Sequence, residues 1–147
     1  MTVSVSIDRT SLSLSPLVID DNPASVYRIA QGGLSRPTIT VRETNAPDSR
    51  YFEGTELLAV TREQTRVPIK KVIVQGASWA AVEAAVDALD AALWQIMYDT
   101  TVTIDGVAKV WHCTPAIPVP SGLIEPENVS QFFDVFDLDI PCKPTPA

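Results

Sequence analysis

Three residues in the C-terminal half carry side chains from which chemistry could be built: His112, Cys113 and Cys142. His112 is the only histidine of the chain and directly precedes Cys113, so the two suggest a base and a nucleophile. The stretch around them predicts a strand, however, and adjacent strand residues project to opposite faces. An activated thiolate also needs an electropositive setting, whereas residues 72–147 hold ten acidic and two basic side chains. We therefore expect no catalytic thiol.

No other pattern predicts a reaction. One histidine and two cysteines fall short of the four ligands of a structural zinc site, and the chain contains no HExxH, P-loop, GxGxxG or GxSxG motif. Carboxylates are numerous, but we expect them to lie on solvated faces of one helix and one strand. The sequence thus predicts no enzyme, no cofactor and no metal. These carboxylates are Glu83, Asp87 and Asp90 of the helix and Asp134, Asp137 and Asp139 of the strand.

Composition excludes several partners. The net charge is −7 with a pI of about 4.5, which argues against nucleic acid because phosphate binding needs clustered Lys and Arg. The start MTVSVSIDRT has neither the basic nor the apolar region of an export signal, and no run of about 18 apolar residues predicts a membrane span. The charge is uneven: residues 1–71 have a net charge of +1 and residues 72–147 of −8. Two copies could meet head to tail, although the charge asymmetry alone favours two solvated surfaces.

The two cysteines form no CxxC pair. A reducing compartment with free thiols is therefore the default expectation. A disulfide between Cys113 and Cys142 is possible only if their strands are neighbours.

The first half of the chain predicts strands only. TVSVSID alternates apolar and polar residues, and we expect it to pair with SLSLSPLVI, in which Leu12 and Leu14 continue the alternation until Pro16. SVYRI and RPTITVRET predict two further strands, and the polar stretch 45–54 predicts an exposed loop. TELLAVTRE and TRVPIKKVIVQG follow as two separate strands, and Pro68 places the second at a sheet edge or at its own beginning.

The stretch after Gly76 predicts one long helix, at about residues 78–97. Ser78 is a suitable N-cap. The large apolar residues recur at helical spacing and predict a single buried face. They are Trp79, Val82, Val86, Leu89, Leu93 and Ile96.

The remaining residues predict a hairpin, an arm and a last strand. Asp105-Gly106 suits a type I′ turn, which places Ile104 opposite Val107 and makes Trp111 a core residue that shares a face with both and with Val102. The proline-rich stretch 115–129 predicts an extended arm without a regular ladder. FFDVFDLDI predicts a strand, and residues 141–147 a tail that cannot pair regularly. We expect one domain, 1–147, with a mainly β (α+β) fold.

The order of these elements resembles that of small minor tail proteins of long-tailed bacteriophages, especially those that infect actinobacteria. The resemblance is carried by LSLSPLVID, VYRIAQGGLSRPTITVRET, the loop ending RYFEG, LLAVTREQTRVPIKKVIVQGASWAAVEAAVDALDAALWQ and TVTIDGVAKVWHC. Residues 66–113 carry most of it, since they look like the β-sandwich-plus-helix module of tail-tube and distal-tail proteins.

The resemblance implies a β-sandwich or partly open barrel with the helix packed on its flank, and assembly rather than catalysis. Expected partners are copies of the chain in a ring or tube and neighbouring tail proteins, in a virion whose parts are made in the host cytoplasm. Inter-subunit contacts are expected in the loop and in the arm. The chain is too short for a separate receptor-binding domain. The candidate contact residues are Asp48, Arg50, Tyr51, Pro118, Glu125 and Glu127.

A second class of function stays open at this point. A small β-sandwich could bind a carbohydrate or a peptide, with Trp111, Tyr51 or Phe52 as an aromatic platform. The two classes differ in whether loop 45–54 and the arm contact another subunit or a soluble ligand.

Overall fold

The structure is a computed structural model that describes residues 2–30, 32–35, 38–45, 57–121 and 132–143; for 38–45 and 57–64 it describes the backbone alone. Within these residues the chain forms nine strands, one α-helix and a 3-10 turn at Thr10–Leu12. The helix α1 is Trp79–Leu93. The strands are β1 Val3–Ile7, β2 Leu17–Asp20, β3 Tyr27–Ile29, β4 Thr38–Asn45, β5 Leu57–Gly76, β6 Tyr98–Ile104, β7 Val107–Cys113, β8 Val119–Pro120 and β9 Phe132–Cys142.

Seven of the strands close into a barrel. Their order is β5, β3, β2, β1, β6, β7 and β9, and β9 returns to β5. All neighbours are antiparallel except β2 and β3. The prediction of a mainly β chain with one helix is confirmed. The barrel is closed rather than partly open, and these strands do not show the alternative, a sandwich.

Alternation of side chains builds the core of the barrel. Val5, Ile7 and Ile19 are fully buried, while Ser4 and Ser6, which alternate with Val5 and Ile7 in β1, are only partly buried. The α1 side chains Val82, Leu89 and Leu93 belong to the same apolar cluster, and the helix packs against β5 and β9. Burial of this apolar surface is the main stabilising contribution to the fold.

The predicted strand SLSLSPLVI is wrong in its first half. Thr10 donates to the Asp8 carboxylate from both its backbone N and its hydroxyl, and a 3-10 turn follows that ends at Ser13 in the left-handed region, at φ 56°. Leu12 and Leu14 are consequently exposed, and the strand that pairs with β1 begins only at Leu17, after Pro16.

β5 is one strand of 20 residues where the sequence predicts two. Pro68 lies inside it, opposite Asp139 of β9. The Pro68 carbonyl accepts from the Ser35 amide at 3.4 Å. In a strand the N–H and the C=O of a residue face the same side, so the donor that Pro68 lacks would also face Ser35. On this side the pairing with β4 ends at Arg66 and the pairing with β3 begins only at Val72. The proline therefore lies where the regular ladder is interrupted and the segment 33–35 runs beside β5, and neither predicted position, a sheet edge or the beginning of a strand, is correct.

α1 begins as predicted and ends earlier. The Ser78 hydroxyl accepts from the Ala81 amide at 3.3 Å, which is the predicted N-cap. At the other end, the Gln95 side chain donates to the Ala92 carbonyl and the Ala116 amide donates to that of Leu93. These bonds take up carbonyls that a longer helix would have used. The helix thus stops at Leu93, not near residue 97, and Ile96 is outside it.

The predicted hairpin is confirmed in register. Ile104 pairs with Val107, and Asp105 and Gly106 have the positive φ angles of a type I′ turn, 48° and 82°. Trp111 is buried, as predicted. Ile104 and Val107 share its face but are exposed, because the hairpin tip extends beyond the packed part of the barrel.

The arm and the tail are more ordered than predicted. Val119 and Pro120 pair with Asp137 and Phe136 of β9, so part of the arm does form a ladder. At the other end of the chain, β9 continues through Cys142, which opposes Thr65 of β5. The prediction that residues 141–147 cannot pair regularly is therefore wrong for Pro141 and Cys142, whereas residues 122–131 and 144–147 lie outside the described residues.

Candidate functional site

A two-stranded ribbon continues β5 beyond the barrel. It consists of β4 and the 57–64 half of β5, which pair from Asn45 opposite Leu57 to Thr38 opposite Arg66. Among the described residues, β4 pairs only with β5, and the 57–64 half pairs only with β4. A ribbon of two strands is marginally stable in water on its own, and its unpaired backbone groups are a template for another chain. The ribbon is thus the first candidate interaction surface.

The ribbon leads to the loop that carries the predicted contact residues. Residues 46–56 join its two strands and lie outside the described residues, as do Asp48, Arg50, Tyr51 and Phe52. The prediction for this loop stays a prediction, but the register of the ribbon places its two ends side by side.

An exposed apolar patch follows the C-terminal end of α1. Trp94, Ile96 and Met97 are 60%, 84% and 62% exposed. The Ser11 hydroxyl donates to the Gln95 side-chain oxygen at 2.5 Å, so the 3-10 turn, which ends at exposed Leu12 and is followed by exposed Leu14, is attached next to these residues. Contiguous exposed apolar surface is typical of interaction sites. Helical periodicity missed the patch, because it assigned Ile96 to the buried face of a longer helix.

The arm is attached to the barrel at several points before it leaves the described residues. Ala116 and Pro118 are buried, and the Ser121 amide donates to the Val135 carbonyl at 2.9 Å. Pro118 is the one predicted contact residue within the described part of the chain. Its burial positions the start of the arm, whereas Glu125 and Glu127 lie outside the described residues.

His112 and Cys113 do not come together as a catalytic pair. The His112 Nδ1 is 2.5 Å from the Asp99 Oδ1, on the partly exposed outer face, whereas Cys113 is buried. A hollow of about 180 Å³ lies beside them and contains Asp8 as a further carboxylate. Within the described ranges, no group of three or more His, Cys, Asp or Glu side chains is placed to hold a metal ion.

Cys113 and Cys142 are brought together, which the sequence left open. They are direct partners across the single register pair that joins β7 to β9, and both thiols are free and buried. The hydrogen bond between the two thiols lowers the pKa of Cys113 and raises the pKa of Cys142, and burial raises the latter further.

The carboxylates divide into two groups. Glu83, Asp87 and Asp90 of α1 are exposed, which confirms the predicted solvated face. Of the strand carboxylates, Asp139 forms an ion pair with Arg66 at 3.2 Å. Asp137 departs from the prediction, because its Oδ1 accepts from the Lys71 amide at 2.9 Å and thereby takes part in the structure of β5.

Lys71 marks a bulge in β5 that sequence reasoning missed. The register with β9 shifts between Ile69 and Val72, and Lys71 has a φ of 62°. Its amide is bound by Asp137 and its ammonium donates to the Ser121 hydroxyl at 2.6 Å, so the bulge also ties the arm to the barrel. A lysine in the left-handed region gives no sequence signal, since glycine and asparagine are the residues expected there.

Trp111 is not available as an aromatic platform, because it is 5% exposed. Of the three residues considered for ligand binding, only Tyr51 and Phe52 remain, and both lie outside the described residues. No observation therefore favours a carbohydrate or peptide site. Among the residues that the structure describes, no helix is both long and apolar enough to cross a membrane.

The fold is similar to that of a chain in a solved phage baseplate structure, although no protein-family model and no curated protein matches the sequence. A chain of the phage P2 baseplate in its activated conformation with Ca aligns with a TM-score of 0.51 at 9% identity over 97% of this chain. The same baseplate with Sr gives 0.49 at 9% identity and the same coverage. A chain of the anti-feeding prophage baseplate gives 0.45 at 13% identity, over 96% of this chain and 88% of its own length.

These likenesses concern the fold alone. The chain spans 43% of the length of the phage P2 baseplate chains. The barrel with one helix is therefore a fold that occurs within a phage baseplate chain more than twice as long.

Proposed function

We propose that the chain is a structural subunit of a bacteriophage tail or baseplate, which acts by assembly with copies of itself and with neighbouring tail proteins. The single observation that carries the proposal is the ribbon. A closed barrel has no free edge, yet this chain extends one barrel strand into a two-stranded ribbon whose described backbone edges are unpaired. Such an extension gains stability when another chain covers it.

Two further observations support assembly. The apolar patch of Trp94, Ile96, Met97, Leu12 and Leu14 is exposed beside a well-packed core. In addition, the fold occurs in a chain of the phage P2 baseplate. We propose that the subunit belongs to the virion, as a protein of the tail tube, of a distal-tail ring, or of the tail tip or another minor tail component.

We propose that the loop and the arm make the contacts between subunits. Asp48, Arg50 and Tyr51 belong to the sequence that joins the two strands of the ribbon, and Glu125 and Glu127 follow the anchored start of the arm at Pro118 in sequence. The positive and negative halves of the chain would add an ionic attraction between neighbours, which salt screens.

The experiment is the mass of the purified chain in solution, measured by light scattering behind a sizing column over a range of protein and salt concentrations. We expect rings or tubes that grow with protein concentration and loosen as salt increases. The triple variant Asp48→Ala/Arg50→Ala/Tyr51→Ala should remain monomeric. The matched control replaces one exposed acid and one exposed base, Asp87→Ala/Lys109→Ala, so that it also leaves the net charge unchanged, and it should assemble like the wild type.

A monomer under every condition, also in the presence of co-produced tail proteins, would contradict the proposal. Deletion of residues 116–124 is a poorer test than substitution, because Ala116 and Pro118 are buried and their loss would disturb the barrel itself.

A further inference from the structure

The barrel closes at a seam where β7 meets β9, and a pair of thiols occupies that seam. Cys113 opposite Cys142 is the one register pair between these two strands. By contrast, β9 pairs with β5 from Thr65 to Gly76. The seam is therefore, with the β2–β3 junction, one of the two places in the barrel where a single register pair joins neighbouring strands.

The backbone bonds around the pair define its geometry. The Thr114 amide donates to the Pro141 carbonyl and the Lys143 amide to the His112 carbonyl, both at 2.9 Å. This pattern makes Cys113 and Cys142 a non-hydrogen-bonded pair, whose Cα atoms lie about 4.5 Å apart. A disulfide spans Cα separations of roughly 4.4–6.8 Å, so the backbone need not move to accommodate one.

The side chains are also suitably directed. Direct partners in an antiparallel pair project to the same face, and both thiols are buried, at 1% and 4% exposure. The Cys113 thiol contacts the Trp111 carbonyl at 3.5 Å and the Cys142 thiol contacts that of Thr65 at 3.3 Å. These are weak bonds that can be given up when a covalent bond forms.

We propose that Cys113 and Cys142 are a disulfide-forming site that locks the barrel seam under oxidising conditions. The oxidant is a low-molecular-weight disulfide. One cysteine thiolate attacks a sulfur of this disulfide and releases one small thiol; the second thiolate then attacks the protein sulfur of the mixed disulfide and releases the other. The two protein thiols are oxidised, the small disulfide is reduced to two thiols, and the two protons of the cysteines go to the released thiolates.

Both cysteines are buried, so the exchange requires opening of the seam, which the single register pair permits. Once formed, the bond closes residues 113–142 into one covalent loop that includes the arm. The inference about when the disulfide forms rests on the proposed function, because a tail subunit is assembled inside a reducing cell and meets an oxidising medium when the virion is released.

The test uses the isolated full chain, so its failure leaves the assembly proposal standing. The protein is equilibrated with oxidised glutathione or with dithiothreitol, once in the native state and once during refolding. Remaining thiols are alkylated with N-ethylmaleimide in denaturant, and the intact mass is measured. We expect the oxidised chain to take up no N-ethylmaleimide and the reduced chain to take up two, and the Tm to rise by about 10 °C on oxidation.

The matched control moves one thiol by a single residue. The double variant Cys142→Ala/Lys143→Cys keeps two cysteines but places one on the opposite face, so it should form no disulfide within the native chain. The variant Cys113→Ala/Cys142→Ala should have the same Tm with and without oxidant. The proposal is overturned if the oxidised wild type carries glutathione adducts, forms linked dimers, or keeps two free thiols after refolding in oxidised glutathione.

Discussion

The two halves of β5 differ in their surroundings although they are one continuous strand. Residues 65–76 pair with β9 on one side and, from Val72 to Val74, with β3 on the other. Residues 57–64 pair only with β4 among the described residues. Residues 65–76 thus have described neighbours on both sides, whereas residues 57–64 have one on a single side among the described residues, and we propose that a further chain pairs on the other. Residues 65–76 thus contribute to stability, and residues 57–64, we propose, contribute to assembly.

Proline substitutions in the two halves of β5 should have the largest and most different effects on stability and assembly. Val74→Pro removes a backbone donor between two strands and a fully buried side chain, so we expect a loss of more than about 3 kcal/mol and an unfolded or barely folded chain. Thr61→Pro, opposite Arg42 in the ribbon, should shift the Tm by only a few degrees but abolish assembly. Thermal unfolding followed by circular dichroism and light scattering measure the two effects. Equal loss of stability in both variants would show that the ribbon is part of the folding unit.

Removal of apolar side chains should show the same contrast between the core and the patch. Leu138→Ala leaves a cavity in the barrel and should cost about 3 kcal/mol in urea unfolding. Ile96→Ala removes an 84% exposed side chain and should change the free energy of unfolding by less than about 0.5 kcal/mol, while it weakens assembly. A large destabilisation by Ile96→Ala would mean that the patch is covered within the chain.

Removal of the carboxylate at the β5 bulge should cost about 1–2 kcal/mol. In Asp137→Ala the Lys71 amide loses its acceptor and the left-handed conformation at Lys71 loses its support. Asp137→Asn keeps an acceptor oxygen and is the matched control, which should recover most of the loss. Chemical unfolding measures the stability of both variants. Equal stability of Asp137→Ala and Asp137→Asn would contradict a stabilising role of the acceptor oxygen at residue 137.

Two tyrosines should respond in opposite directions and by the smallest amounts. The Tyr27 hydroxyl donates to the Ala85 carbonyl at 2.7 Å, so Tyr27→Phe should cost about 1 kcal/mol. The Tyr98 hydroxyl is buried and has no hydrogen-bond partner among the described residues, so Tyr98→Phe should be neutral or stabilising by up to about 1 kcal/mol. Destabilisation by Tyr98→Phe would show that the hydroxyl does have a partner.

Tyr98 also sets a dependence on alkaline pH. Burial raises its pKa above the ordinary value, with a further contribution from the two cysteines. The folded state therefore keeps the neutral phenol where the unfolded chain already ionises. The resulting stability is present below about pH 10 and is lost as the pH rises above it. Unfolding of wild type and Tyr98→Phe between pH 8 and 11 should show a smaller loss in the variant.

Local signals were sufficient for some elements. The Asp105-Gly106 turn fixed the register of the β6–β7 hairpin, and the Ser78 cap marked the start of α1, because both depend on residues within a few positions. The alternation of β1 also predicted its buried face correctly, since Val5 and Ile7 are buried.

The missed features depend on contacts between distant residues. The end of α1 is set by Ala116, the bulge at Lys71 by Asp137, and the Cys113–Cys142 pair by the closure of the barrel. The separation of β5 into two predicted strands had the same cause, since Pro68 is tolerated where neither β4 nor β3 pairs with β5 and the segment 33–35 lies beside it instead. None of these partners is adjacent in sequence.

Hydrogen exchange of the backbone amides in β5 tests the central claim most directly. The measurement compares the chain at low concentration with the chain at a concentration at which assemblies form. We predict that amides in residues 65–76 are protected equally in both samples, whereas amides of residues 57–64 that face away from β4 become protected only in the assembly. The same protection of both halves in the dilute sample, or no gain in residues 57–64 on assembly, would contradict the division of β5 into a folding half and an assembly half.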